Sequence, residues 1–381
     1  MPSTRRQLIS TAALAAGAGF FAQPSTAAEP PQKPNGPADK VYRVGVISSR
    51  IRGKPQRLNG HTFHFAQYFH PECNLEAIKK YKDPGTIKLF HDYLRNPQTT
   101  FGRWPFNNTR ITHYYEPDLE VAKIFCEVFP GVEVATSLEK MVGEVDAIWL
   151  GDASGFGEDH FDLAAPGLAK GLPTFCDKPI GGSVAETRRI LEFARQHKAP
   201  LMSSSLFRHQ WGTEEALRMK ASGEFGPIQY VIASQAGGYS PDGWVIYGQH
   251  PVWMVMTLCG PGVEAVNLYA YENTCHALVT YKDRPPAEVW YGRPDVVGRY
   301  CSTSVHFAKK VYTYTPAIED HYWLGHHYQM LNMADAFRKM VETGVEPVPH
   351  QEILEVTAII HAGVKSRDDK SRLVTLAEVL G

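Results

Sequence analysis

Two hydrophobic patterns run along the chain, and the point where one gives way to the other divides it. From Tyr42 to about Phe207, short apolar runs alternate with segments whose apolar residues recur every three or four positions. The runs predict buried strands at Tyr42 to Ile47, Arg110 to Tyr115, Asp146 to Asp152 and Leu172 to Asp177, with shorter ones over 132–137 and 201–206. Between them, Pro117 to Phe129 places Val121, Ile124, Phe125 and Val128 on one helical face, and 184–199 is amphipathic. A helix from His160 to Lys170 is closed by Gly171, and Ser137 caps a short one. Strands alternating with helices at this spacing predict a Rossmann-like, doubly wound parallel sheet covered on both faces.

Beyond Phe207 the rhythm changes. One helix, Thr213 to Ser222, is followed by segments that alternate apolar and polar residues at 227–234, 265–272, 277–282, 287–292 and 305–315. Alternation predicts strands with one wetted face, and two closing helices run from His327 to Thr343 and from Gln351 to Lys365. The fold class is α/β, with a second α+β domain carrying a largely antiparallel open sheet. The domains are placed at 41–206, with an insertion at about 53–109, and at 207–381.

Composition narrows the function classes. Lys and Arg number 39 against 40 Asp and Glu in 381 residues, so nothing global draws the chain to nucleic acid or to an anionic membrane. Residues 1–28 have the order of an export signal: Arg5 and Arg6, a short Ala/Gly-rich apolar run, then small residues. The arginine pair points to the twin-arginine route. A periplasmic or extracytoplasmic location follows, with no membrane span once the signal is removed and with 29–40 as a Pro-rich linker. Six cysteines are too few for a disulfide scaffold, and any pairing such as Cys275 with Cys301 is a guess.

Six segments carry chemistry or shape and occur in a telling order. They are YYEPDLEVAKIFCEVF, DAIWLGDAS, HFDLAAPGLAKGLPTFCDKPI, SSLFRHQWGTEEALRMKASGEFGPI, YGQHPVWMVMTLCGPGVEAV and AFRKMVETGVEPVPHQEILEVTAIIHAGVKS. Together they resemble the glucose-fructose oxidoreductase, inositol dehydrogenase and MocA family of nicotinamide-dependent sugar enzymes, over roughly 42–52 and 110–367. The resemblance implies a Rossmann domain that binds NAD in preference to NADP, because Glu116 at the end of the second strand repels a 2′-phosphate. It implies a carbohydrate or polyol substrate, and the wetted sheet of the second domain offers a face for a homo-oligomer. Lys178, in a DKP motif with Asp177 where the family has Glu, would contact the nicotinamide ribose and a substrate hydroxyl. His250 would be the acid/base, a role that suits an imidazole.

The remaining site expectations follow the same resemblance. Ser48, Ser49, Arg50, Glu116, Asp152, His160, Asp177 and Pro179 would line the cofactor. Arg208, His209, Trp244, His326 and His327 would line the substrate. No metal is expected, because His321, His326 and His327 do not share one helical face. Two departures weigh against the full mechanism. The motif's Asp ahead of the histidine is Ile246, and the glycine fingerprint after the first strand is missing, with glycines only at 45, 53 and 60. Ser48, Ser49, Arg50, Arg52, Lys54 and Arg57 either replace the lost backbone donors or form a solvated basic loop. Two alternatives stand beside a simple oxidoreductase. One is an NAD-retaining glycosidase working by oxidation and elimination, and the other is a non-catalytic carbohydrate-binding protein on a degraded Rossmann scaffold.

Overall fold

The computed structural model describes residues 40–48, 60–81, 105–151, 155–236, 243–293, 301–315 and 326–381. The first half is built from β1 (Tyr42–Ser48), α1 (Gly60–Phe69), α2 (Leu75–Tyr81), β2 (Thr109–Tyr115), α3 (Leu119–Val128) and β3 (Glu133–Val134). It continues with α4 (Leu138–Met141), β4 (Ala147–Gly151), α5 (His160–Ala169), β5 (Thr174–Cys176), α6 (Val184–Gln196) and β6 (Leu201–Met202). All six strands are parallel, in the order β3-β2-β1-β4-β5-β6. The winding reverses between β1 and β4, and a crevice for ligands opens outside the carboxyl ends of the strands at such a point.

Local chemistry starts the helices where the sequence predicts them. The Asp118 carboxylate accepts the N–H groups of Glu120 and Val121 at α3, and Ser137 and Ser183 cap α4 and α6. Helices cover both faces of the sheet, so every residue of the central apolar strand β4 is buried. Trp149 of β4 stacks on Phe175 of β5 with ring centres 3.9 Å apart, and Tyr114 of β2 stacks on Phe125 of α3. Helix α1 falls inside the stretch read as an insertion, yet it packs on β1, β2 and β4. Its aromatic residues Phe63, Phe65, Tyr68 and Phe69 are buried there, which makes this part of the stretch the covering helix that a parallel β1–β2 connection requires.

The second half opens with a 3-10 turn (Leu206–His209) and α7 (Trp211–Ser222). It continues through β7 (Ile228–Ala236), α8 (Gly243–Tyr247), α9 (Gln249–Cys259), β8 (Val263–Ala270), β9 (Thr274–Tyr281) and β10 (Ala287–Gly292). Then come β11 (Cys301–Phe307), β12 (Val311–Tyr314), α10 (His326–Thr343), α11 (His350–Asp368), β13 (Val374–Thr375) and α12 (Ala377–Leu380). Seven strands pair in the order β12-β11-β7-β10-β9-β8-β13, antiparallel except for β7 with β10. Helices α9 and α11 cover one face. On the other, His276 stacks on Trp290 at 4.3 Å and pairs with Glu288, all three half-buried. The predicted one-sided wetting is therefore present.

Three local readings are corrected. The run over 305–315 is a hairpin and not one strand, because Lys309 and Lys310 turn out to solvent while the Phe307 N–H donates to the Lys310 carbonyl. Strand β6 stops at Met202, and a turn that Ser205 fixes follows it. Cys275 sits opposite Tyr291 and Cys301 opposite Gln235, with β10 and β7 between their strands. Three strand spacings of about 4.8 Å put them beyond the reach of a disulfide, and all six thiols are free.

Burial also fixes an acid sensitivity. Burial drives the His209 imidazole pKa down to about 3, with the Arg208 charge adding to it, and burial lowers His70 and His361 as well. Between that value and the ordinary 6.5, the unfolded chain binds a proton at His209 that the folded chain refuses. Stability is therefore full above about pH 6.5 and falls as the pH drops below it, by up to about 1.4 kcal/mol per pH unit for one such group. Urea midpoints at pH 7 and pH 5 should differ accordingly, and His209→Gln should flatten the slope; an equal slope in the variant would refute the assignment.

Candidate active site at the carboxyl edge of the parallel sheet

Strand β5 ends in Cys176, and the three residues after it, Asp177, Lys178 and Pro179, cross the carboxyl edge of the sheet with a cis Lys178–Pro179 peptide. Asp177 is 1% exposed and uses both carboxylate oxygens. Its Oδ1 accepts the Lys178 backbone N–H at 2.7 Å, and its Oδ2 pairs with Nδ1 of His61 in the first turn of α1. Both oxygens thus engage groups other than the Lys178 ammonium. That group, on a residue only 2% exposed, donates to the Ile246 carbonyl of α8 at 3.4 Å and lies 5.6 Å from the centre of the Tyr247 ring.

His250 stands in the first turn of α9 near Tyr247, their ring centres 6.3 Å apart. Its Nδ1 is 2.6 Å from the Ser205 hydroxyl, and Phe207 meets its ring edge-on at 4.7 Å. Lys178 and His250 thus both lie near one tyrosine, and the edge of the parallel sheet contributes one of them while the second half contributes the other. Ile246, which stands where the resembling motif has an aspartate, takes part through its backbone carbonyl.

The other cofactor positions split. Ser48 is buried at the end of β1. Glu116, just past β2, is 1% exposed and its Oε1 accepts the Asp118 N–H at 3.1 Å. His160 opens α5 and sets its Nδ1 3.5 Å from Cys176 Sγ, one residue ahead of Asp177. Helix α1 approaches so closely that a methyl group on Gly151 would lie 2.8 Å from the His61 carbonyl oxygen and 2.9 Å from Thr62 Cγ2. The Trp149 indole N–H donates to that same carbonyl, so the helix cannot simply drift away. Gly151→Ala should cost about 1–3 kcal/mol in urea unfolding; a cost near zero would show that the α1 contact is not rigid. Ser49, Arg50 and Asp152 lie outside the described residues.

Of the expected substrate residues, Trp244 is corrected. It is fully buried, its indole N–H donates to the Ile360 carbonyl at 3.0 Å, and Gly248 and Gly363 make room for its ring. No sugar can stack on it. Arg208 turns to the helices of the second half, donating to Glu352 at 2.7 Å and to Thr257 at 3.2 Å. His209 borders a cavity of about 550 Å³ lined also by Glu214, Asn332, Asp335 and Lys339. Neither is brought against Lys178 by these contacts. His326 and His327 open α10, and their side chains lie outside those described. Sequence reasoning missed His61 and Ser205, since one is a histidine in a stretch read as an insertion and the other is the last of three successive serines.

Residues 87–205 match the model of an oxidoreductase family with an NAD-binding Rossmann fold, the family of glucose-fructose oxidoreductase, inositol dehydrogenase and MocA. No curated protein matches the sequence. Among solved structures, the scyllo-inositol dehydrogenase of Lactobacillus casei with NAD(H) and scyllo-inositol is similar at TM-score 0.65 and 14% identity, over 89% of this chain and 100% of that one. The myo-inositol dehydrogenase of the same organism, with NAD(H) and myo-inositol, gives 0.63 and 13%, over 88% and 96%. An oxidoreductase of Agrobacterium radiobacter with NAD+, L-tartaric acid and magnesium gives 0.64 and 13%, over 88% and 99%. At these identities the likeness establishes the two-part fold. Residues 87–205, set in that fold, are similar to the NAD-binding part of the glucose-fructose oxidoreductase, inositol dehydrogenase and MocA family.

Proposed function

We propose that the protein is an NAD-dependent oxidoreductase acting on a hydroxyl of a sugar, glycoside or polyol, with Lys178 and His250 sharing the proton. The observation that carries the reading is the placement of a buried lysine at the carboxyl end of β5 and a buried histidine of α9 near the same tyrosine, Tyr247. Oxidising a CH–OH group to a carbonyl removes a hydride from carbon and a proton from oxygen. NAD, when bound, supplies the hydride acceptor. The chain's own part is to hold the hydroxyl and take its proton, and an ammonium and an imidazole divide these tasks well, one as a fixed hydrogen-bond donor and the other as a base.

The residues of the sheet edge suit a dinucleotide. The winding order opens a crevice there, Glu116 ends the second strand where a carboxylate favours NAD over NADP, and Ser48 and Asp177 close the neighbouring strand ends. The named ligands of the similar dehydrogenases, NAD(H) with an inositol, support a cyclic polyol as the first substrate class to try. Export by the twin-arginine signal in residues 1–28 belongs to the same reading and rests on Arg5, Arg6 and the apolar run behind them. The test incubates the purified chain and NAD with a panel of inositols, aldoses and glycosides and follows absorbance at the NADH maximum. Substrate-dependent NADH formation by the wild type supports the reading, and its absence across the panel counts against it.

A further inference from the structure

We infer that Ser205 is the positioning residue of His250, filling the role that the resembling motif gives to an aspartate and that Ile246 cannot fill. The purpose of this device rests on the oxidoreductase reading, whereas its content rests on geometry. Ser205 is fully buried and its Oγ lies 2.6 Å from His250 Nδ1. The hydroxyl is itself anchored, because it accepts the Phe207 backbone N–H at 3.1 Å as the 3-10 turn begins. The Phe207 ring then meets the imidazole edge-on. A histidine of α9 is thereby gripped by residues at the end of β6.

The grip has a counterpart. Lys178, which belongs to the parallel sheet, is held by the Ile246 carbonyl of α8. Each half of the chain therefore positions the proton-carrying side chain of the other. With no carboxylate at position 246, that residue meets Lys178 through its backbone carbonyl alone, and the hydroxyl of Ser205 is the side-chain partner of His250 Nδ1.

A hydroxyl differs from a carboxylate in a way that matters for an acid/base. It has one donor and two acceptor sites, so it can donate to a bare ring nitrogen or accept from a protonated one. One acceptor site is taken by the Phe207 N–H, and the other accepts Nδ1–H, in the neutral ring and in the imidazolium alike, which holds one tautomer with Nε2 as the exchanging nitrogen. Being uncharged, it orients the ring without favouring the imidazolium as a carboxylate would. With Nδ1 committed to Ser205, proton exchange with a substrate hydroxyl runs through Nε2.

The test uses the full chain labelled with 15N-histidine, with the His250 ring signals assigned by their loss in His250→Gln. In the wild type and in Ser205→Thr the two ring-nitrogen resonances should stand far apart, as for a single tautomer. In Ser205→Ala they should move together as the tautomers mix. Should Ser205→Ala fail to fold, Ser205→Cys keeps the volume with a weaker hydrogen bond and should give an intermediate separation. A wild type with mixed tautomers, or a Ser205→Ala variant with unchanged separation, overturns the inference. On any substrate from the panel, Ser205→Ala should lower kcat about 10- to 100-fold with the KM for NAD within about twofold, and threonine should restore it. A chain that binds no NAD would sink the oxidoreductase reading alone, since the ring-nitrogen shifts still report on Ser205.

Discussion

Lys178→Ala should lower turnover on a hydroxyl substrate by about 10²- to 10⁴-fold, the range that a positioned proton-transfer group supplies. The side chain is buried, its ammonium is held at the Ile246 carbonyl beside Tyr247, and the neighbouring carboxylate is already engaged by His61 and by the lysine's own backbone. Truncation removes the amine and leaves those anchors in place. NAD retention should therefore survive while kcat falls, and single-turnover NADH formation measured beside NAD content separates the two. A variant that loses NAD and keeps its residual rate per bound NAD would assign Lys178 to cofactor binding only.

Trp244→Ala should cost about 3–5 kcal/mol of stability, the range for emptying a large buried aromatic site. The ring is fully buried between α9 and α11, where a methyl group on Gly248 would come within 2.6 Å of its Cε3 and one on Gly363 within 2.8 Å of its Nε1. The indole also donates to the Ile360 carbonyl, so truncation loses a buried hydrogen bond as well as packing. Trp244→Phe keeps most of the volume and should cost about half as much. Urea unfolding distinguishes this role from the substrate-stacking role expected of the residue, since a stacking residue would weaken substrate binding and leave the midpoint unmoved.

These two residues show what the sequence could and could not convey. Lys178 was legible because its motif is local: an acidic residue, a lysine and a proline after an apolar run mark a strand end wherever they occur. The parallel sheet was legible for the same reason, as each of its strands and helices announces itself by its own periodicity. Trp244 was expected against the substrate because nothing local marks it as core, and the two glycines that seat it are Gly248 nearby and Gly363 more than a hundred positions away. His61 and Ser205 were missed because their partners, Asp177 and His250, are distant in the chain and are met only when α1 and β6 are folded against them. The hairpin at β11 and β12 had a visible marker in Lys309 and Lys310, but alternation on either side of the turn ran on as though unbroken.

The missing glycine fingerprint bears directly on the central claim, because the family match at 87–205 begins beyond that loop. The most direct measurement is to purify the full chain from cytoplasm, denature it without added nucleotide, and quantify NAD(H) and NADP(H) in the supernatant by mass, followed by NAD titration of the stripped and refolded protein. The account predicts NAD(H) approaching one equivalent, little NADP(H), and saturable rebinding. No dinucleotide released and none bound on titration would contradict it.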